Sequence, residues 1–137
     1  MAAEKNNSAA MRFLVNSYII QGQRAFSQNN FAEAAKWYKM AADTGDLNAL
    51  CFLGNCYYSM MKFTEAVKCF RMAGRKGNAN AQFFMGICYL EGNGVTKDEK
   101  VAVVWLRKAA DQGDKAAKEL LDKLPKRLTR KRLFGIF

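Results

Sequence analysis

Gly22, Gly54 and Gly86 stand 32 residues apart, and Gly45, Gly77 and Gly113 follow at intervals of 32 and 36. The segments "KWYKMAADTGD", "KCFRMAGRKGN" and "VWLRKAADQGD" overlie one another on the same ruler, and the four extra residues of the last interval fall in Gly92-Asn93-Gly94-Val95. A period of this length belongs to arrays of stacked helical hairpins, in which each unit buries its apolar face only against its neighbours. A chain built this way forms one continuous quasi-linear core, and such arrays serve as binding surfaces more often than as enzymes.

Apolar spacing supports helices throughout. Leu50, Leu53, Gly54 and Tyr57 recur at helical intervals, as do Ala66, Phe70 and Ala73 on the next segment. The pattern predicts helices over 9–28, 31–44, 47–60, 63–76, 79–92, 98–112 and 115–124, and no strand. Gly54, Gly86, Ala73 and Ala109 mark places where helix backbones approach closely. Gly45, Gly77 and Gly113 fall where a helix C-terminus wants a left-handed residue. The chain is 137 residues long and 50% hydrophobic, with a single proline. It is therefore expected to be all-α, an α-solenoid of about three antiparallel helix-turn-helix repeats over 1–124, closed by a capping helix. A separate basic, apolar tail occupies 125–137.

The third copy, Ala81, Gly86, Tyr89, Gly92-Asn93-Gly94-Val95, Asp98, Ala102, Trp105, Lys108-Ala109-Ala110 and Gly113, resembles a Sel1-like repeat, a relative of the tetratricopeptide repeat. The second is similar to the tetratricopeptide form. The first is degenerate, with Gln21 where a leucine is usual. A fourth begins at Ala117 but has Asp122 in place of the packing glycine, and so reads as the cap. The resemblance covers about Ser17 to Leu124 and implies a non-enzymatic adaptor or scaffold for protein–protein interaction.

The residues agree with that implication. The chain has no histidine, the commonest general base near neutral pH, and no Ser-His-Asp, Cys-His or paired-carboxylate arrangement. Gly92–Val95 lacks the strand and lysine of a phosphate loop and reads as a turn, with Asp98 capping the next helix. Cys51, Cys56, Cys69 and Cys88 take packing positions of the repeat and contain no Cys-x-x-Cys. They read first as buried apolar residues, with disulfides the alternative and zinc a remoter one. Neither catalytic residues nor metal, cofactor or small-molecule substrate are expected. No apolar run has the length of a membrane span, and "MAAEKNNSAAMRF" lacks a signal-peptide core, so a cytoplasmic location is expected.

The family geometry implies that the first helix of each hairpin lines a concave groove. Repeat register then places Asn16, Ile19, Gln23 and Phe26, then Asn48, Cys51, Asn55 and Tyr58, then Asn80, Phe83, Ile87 and Leu90 in it. Asn16, Asn48 and Asn80 are equivalent, and their amides suit the backbone of an extended peptide. Asn48 and Asn80 also suit helix capping. Phe26, Tyr58, Phe83, Ile87 and Leu90 supply apolar anchors. No basic residue occupies this set, which departs from carboxylate-clamping co-chaperones.

Charge gathers in the tail, "KLPKRLTRKRLFGIF": six of the net +10 lie in the last fifteen residues, at Lys123, Lys126, Arg127, Arg130, Lys131 and Arg132. Leu133 and Phe134 add apolar bulk. The segment suits contact with an anionic membrane or an acidic partner. It also suits nuclear import, and Lys131–Gly135 resembles a cyclin-docking peptide. Nucleic acid is disfavoured because no aromatic platform accompanies it. The bland alternative folds Leu133–Phe137 back onto the last groove. The expected function is a scaffold holding a partner peptide or helix in the groove, with the tail as second contact. The alternative is a membrane-peripheral or host-directed regulatory protein, effector or inhibitor, targeted by the tail.

Overall fold

The structure is a computed structural model that describes residues 2–130, with side chains from Asn7 onward. Its helices are α1 (Ala2–Ser27), α2 (Phe31–Ala42), α3 (Leu47–Ser59), α4 (Phe63–Arg75), α5 (Ala79–Glu91), α6 (Glu99–Asp111), α7 (Lys115–Lys123) and the single turn α8 (Lys126–Thr129). Each helix from α1 to α6 packs on the next in the chain, and α8 turns back onto α6. The result is the expected all-α solenoid of three hairpins, α1–α2, α3–α4 and α5–α6, with α7 as cap. Two elements differ from expectation. Helix α1 starts at Ala2 rather than near residue 9, and a turn of helix follows Pro125, whose fixed φ suits the start of a helix.

Capping explains where the helices begin. The side chains of Asp46, Asn78, Asp98 and Asp114 accept the backbone N–H three residues on, at 2.8, 2.9, 3.1 and 2.9 Å. Asp98 therefore caps α6 as expected. Asn48 and Asn80 do not cap: α3 and α5 start at Leu47 and Ala79, so both asparagines already lie inside the helix, and the capping role falls two residues upstream. Gly77 and Gly113 hold φ of +100° and +95°, one residue beyond the helix cap. There the N–H groups of Asn78 and Asp114 close back on the carbonyls of Ala73 and Ala109. At these two connections the residue that ends one helix thus caps the next, which holds each of them to a tight turn.

The core is a ladder of glycine sockets. A Cβ on Gly22 would sit 2.6 Å from the Tyr38 ring, one on Gly54 2.6 Å from the Phe70 ring, and one on Gly86 2.6 Å from Leu106. Each bulky side chain enters the glycine gap of its own hairpin and is covered by the next one. Phe52 lies over Tyr38 with centroids 5.2 Å apart, Phe84 stacks on Phe70 at 5.0 Å, and Leu120 packs on the Leu106 cluster. Between the hairpins Trp105 lies against Gly74 of α4. Met60, Met61 and Phe63 form the turn of the second hairpin: Met61 is 75% exposed with φ of +61°, and Phe63 sits edge-on to Tyr58.

Two outcomes follow from this packing. Gly86→Leu overfills a socket closed by a fully buried side chain and is expected to lower unfolding free energy by about 1–3 kcal/mol, read from the urea midpoint. Met61→Gly relieves a left-handed methionine that buries little, and is expected to raise stability by about 1 kcal/mol in the same assay. An unmoved midpoint in either variant contradicts the assigned geometry.

Candidate binding surface

The face formed by the first helices carries amides and aromatic rings. On α1, Asn16 and Gln23 are exposed while Ile19 and Phe26 are half-buried. On α3, Asn48 is exposed, Asn55 and Tyr58 are half-buried, and Cys51 is 2% exposed in the core. Cys51 is therefore removed from the surface set, since its position turns inward against Val67 and Met85. On α5, Asn80 is exposed and Phe83, Ile87 and Leu90 are half-buried. Phe83 and Leu90 pack on the cluster beneath α6 and α7, so only part of each is offered outward.

Two of these residues have partners within the array. The Asn48 carbonyl accepts the Asn78 amide at 2.9 Å, tying the second hairpin to the cap of α5. The Tyr58 hydroxyl donates to the Glu91 carboxylate at 2.9 Å, and the Asn93 amide donates to both at 3.0 and 2.7 Å. Burial, reinforced by the Glu91 carboxylate, raises the Tyr58 pKa, so the phenol remains a proton donor at neutral pH. Gly94 lets this loop approach: a Cβ there would meet the Phe63 carbonyl. The Gly92–Val95 insertion is thus a turn and also a brace between hairpins.

A cavity of about 220 Å³ opens between the first two hairpins, lined by Phe26, Tyr38, Phe52 and Asn55. Phe26 and Asn55 belong to the register set. Tyr38 and Phe52 were missed, because the repeat position assigned to the surface on α3 was Cys51. The signal for Phe52 is its equivalence to Phe84 at the same 32-residue interval. The walls are aromatic and the amide of Asn55 is the one polar side chain besides the Tyr38 hydroxyl, so the cavity matches a neutral apolar group with a hydrogen-bonding neighbour.

Part of the basic tail lies on the second-helix side. Arg127 reaches Glu99 at 3.5 Å, the Arg107 guanidinium donates to the Thr129 carbonyl, and Leu128 is half-buried. Lys126 and Arg130 are exposed. Lys131, Arg132, Leu133 and Phe134, and with them the fold-back of Leu133–Phe137, lie outside the described residues.

The Sel1 repeat family matches residues 20–46, 62–78 and 79–114. The chain belongs to the Sel1 repeat family. Among solved structures, it is similar to a protective antigen of uropathogenic Escherichia coli displaying an SLR fold, at 35% identity and a TM-score of 0.71 over 95% of this chain. It spans 28% of the length of that protein. A Sel1 repeat protein from Oxalobacter formigenes matches at 30% identity and a TM-score of 0.67, over 88% of this chain and 95% of that one. No curated protein matches. Sel1 repeat proteins are generally protein-interaction scaffolds, and the family is typically non-catalytic.

Among the described residues no cluster of histidine, cysteine or acidic side chains has the arrangement of a metal site, and no helix is long and apolar enough to cross a membrane. All four cysteines are buried free thiols at the packing positions the repeat assigns them. Burial pushes Cys51 and Cys56 up to about 12, with the neighbouring Cys69 adding to it, and pushes Cys69 and Cys88 up to about 11. They are therefore poor nucleophiles in the folded protein.

The sign of the linkage is set by these shifts. The unfolded thiols ionise near 9 while the folded ones hold their protons to about 11–12. Their stabilising contribution is complete below pH 9 and is lost as pH rises through that window. Denaturant midpoints are expected to fall steadily above pH 9. A thiol reagent at neutral pH is expected to label the four cysteines only at the rate of unfolding, and immediate labelling of the native protein contradicts the assignment.

Proposed function

We propose that this Sel1 repeat protein is a non-enzymatic adaptor that holds an apolar-anchored peptide or helix of a protein partner along the concave face of α1, α3 and α5. The observation that carries this reading is the Phe26–Tyr38–Phe52–Asn55 cavity on a face whose register positions on α1, α3 and α5 are all uncharged. Desolvating neutral amides and aromatic rings costs far less than desolvating charges, and aromatic pockets concentrate binding energy. Asn16, Gln23, Asn48 and Asn80 hydrogen-bond the partner's backbone beside that anchor. The basic tail makes the second contact, with an acidic partner surface or an anionic membrane. A charged tail outside the groove accelerates encounter, and the apolar anchor sets the off-rate.

Selection of displayed random peptides on the full-length protein tests the groove. Enriched peptides are expected to share a large apolar side chain. They should bind Asn55→Arg, which fills the cavity mouth, at least about tenfold more weakly than the wild type while its melting temperature is unchanged. A chain ending at Arg130 retains α8 and is expected to keep groove affinity, with a slower on-rate for acidic peptides. Absence of enrichment, or equal binding by Asn55→Arg, overturns the groove reading.

A further inference from the structure

The two junctions between hairpins are filled differently on the side of the second helices. At the second junction Trp105 and Gln82 both close on Gly74, and the Gln82 amide donates to the Gly74 carbonyl and accepts from Gln112. One repeat earlier the positions of Trp105, Gly74, Gln82 and Gln112 are taken by Cys69, Ala42, Leu50 and Lys76. A thiol replaces the indole and an aliphatic side chain replaces the amide. A depression of about 280 Å³ opens there, between the end of α2, the start of α3 and the last turns of α4. Ala42, Leu50 and Leu53 form its apolar base, and Met72, 53% exposed, forms one wall. It shares no lining residue with the Phe26–Tyr38–Phe52–Asn55 cavity.

The charges around this depression do not cancel. Lys39 and Asp43 pair with each other at 3.2 Å, and the Asp46 carboxylate accepts the Ala49 N–H at the start of α3. Both acids of the rim are therefore engaged. Lys76 has no ion-pair partner among the described residues, nor have Arg75 beside it and Lys68 two turns earlier. Along α4 and its two caps the exposed bases Lys62, Lys68, Arg75 and Lys76 stand against the single exposed acid Glu65. The recess is apolar inside and positive at its edge.

We propose that this depression is a second docking site, which takes an acidic amphipathic segment of a protein partner. One large apolar side chain enters between Leu50 and Met72, and a carboxylate within a residue or two of it pairs with Lys76 and Arg75. Burial of the apolar group supplies the binding, and an exposed methionine adapts its shape to the occupant. The rim cations supply charge complementarity, which steers an acidic segment in and rejects a basic one. The chain's own basic tail is therefore repelled from this face. A flat anionic surface reaches the cations but leaves the recess unfilled, so the occupant is a segment that carries both chemistries. The concave face and this one then select different partners, a neutral apolar anchor on the first and an acidic apolar one on the second.

Selection of displayed random peptides on the full chain carrying Asn55→Arg, which blocks the concave cavity, tests this. Enriched peptides are expected to pair a large apolar residue with Asp or Glu. A synthetic copy is expected to bind at least about tenfold more weakly, by fluorescence anisotropy, once Met72→Lys is added, although that substitution adds a positive charge. Lys76→Gln is expected to cost about threefold and to flatten the salt dependence. Lys108 and Gln112 hold these two positions in the third hairpin and both sites are exposed, so neither variant is expected to move the melting temperature. Equal binding by Met72→Lys reduces the contact to charge alone and overturns the proposal. So does a failure to enrich acidic peptides, including the case in which the wild type binds phosphatidylserine vesicles instead.

Discussion

The array rests on one contact made three times: a side chain of the second helix seated in the gap left by a glycine of the first. Tyr38 in Gly22, Phe70 in Gly54 and Leu106 in Gly86 each sit where a Cβ would intrude. Close-packed interiors tolerate little change in volume, so the glycine fixes both how near the two helices come and which face of each is inward. Because the seated side chain is covered by the following hairpin, no hairpin is complete by itself. The direction of the array and the need for a cap both follow. Leu120 on α7 satisfies that need after the third hairpin.

The connections serve the same geometry. Asn78 and Asp114 each close the end of one helix with their backbone and open the next with their side chain, so a hairpin has little freedom to swing on its neighbour. The insertion in the third copy has a different use. Gly94 passes against the Phe63 carbonyl and Asn93 reaches Tyr58, which places a polar clasp across two hairpins. Gln82 adds an internal tie, donating to the Gly74 carbonyl and accepting from Gln112. A core position that is Leu50 one repeat earlier is polar here because a helix-end carbonyl faces it, and a buried amide is stable only when so partnered.

Nearly all the helices were legible because the glycine period and the apolar spacing report the same packing. What escaped was decided by details below the period. Asn48 and Asn80 looked like caps, but Asp46 and Asn78 lie two residues earlier with equal capping ability, and the tight left-handed turn selects the nearer residue. The inner surface was legible as a face but not as a cavity. Cys51 and Phe52 are adjacent, a helix turns about 100° per residue, and the register that put Cys51 outward left Phe52 unexamined. Helix α8 escaped because Pro125, which stops α7, also starts a new turn whose Arg127 and Thr129 find partners on α6.

Function in such an array is carried by departures from the repeat. Some packing positions keep one residue in every hairpin, as Ala34, Ala66 and Ala102 do, each fully buried. Phe26 and Asn55, by contrast, have Tyr58 and Ile87 as their counterparts one hairpin on, and Tyr58 is held by Glu91 and Asn93. The second interval therefore differs from the first, which keeps a cavity between Phe26 and Asn55. A partner anchored on the proposed face is held by the first interval more than the second, and its register along the array is fixed by that asymmetry. Charge has no part in this anchoring, since none of the four residues lining the cavity is charged. Salt therefore weakens the contact of the tail and leaves that of the cavity, so the two contacts of the proposed adaptor differ physically as well as in place.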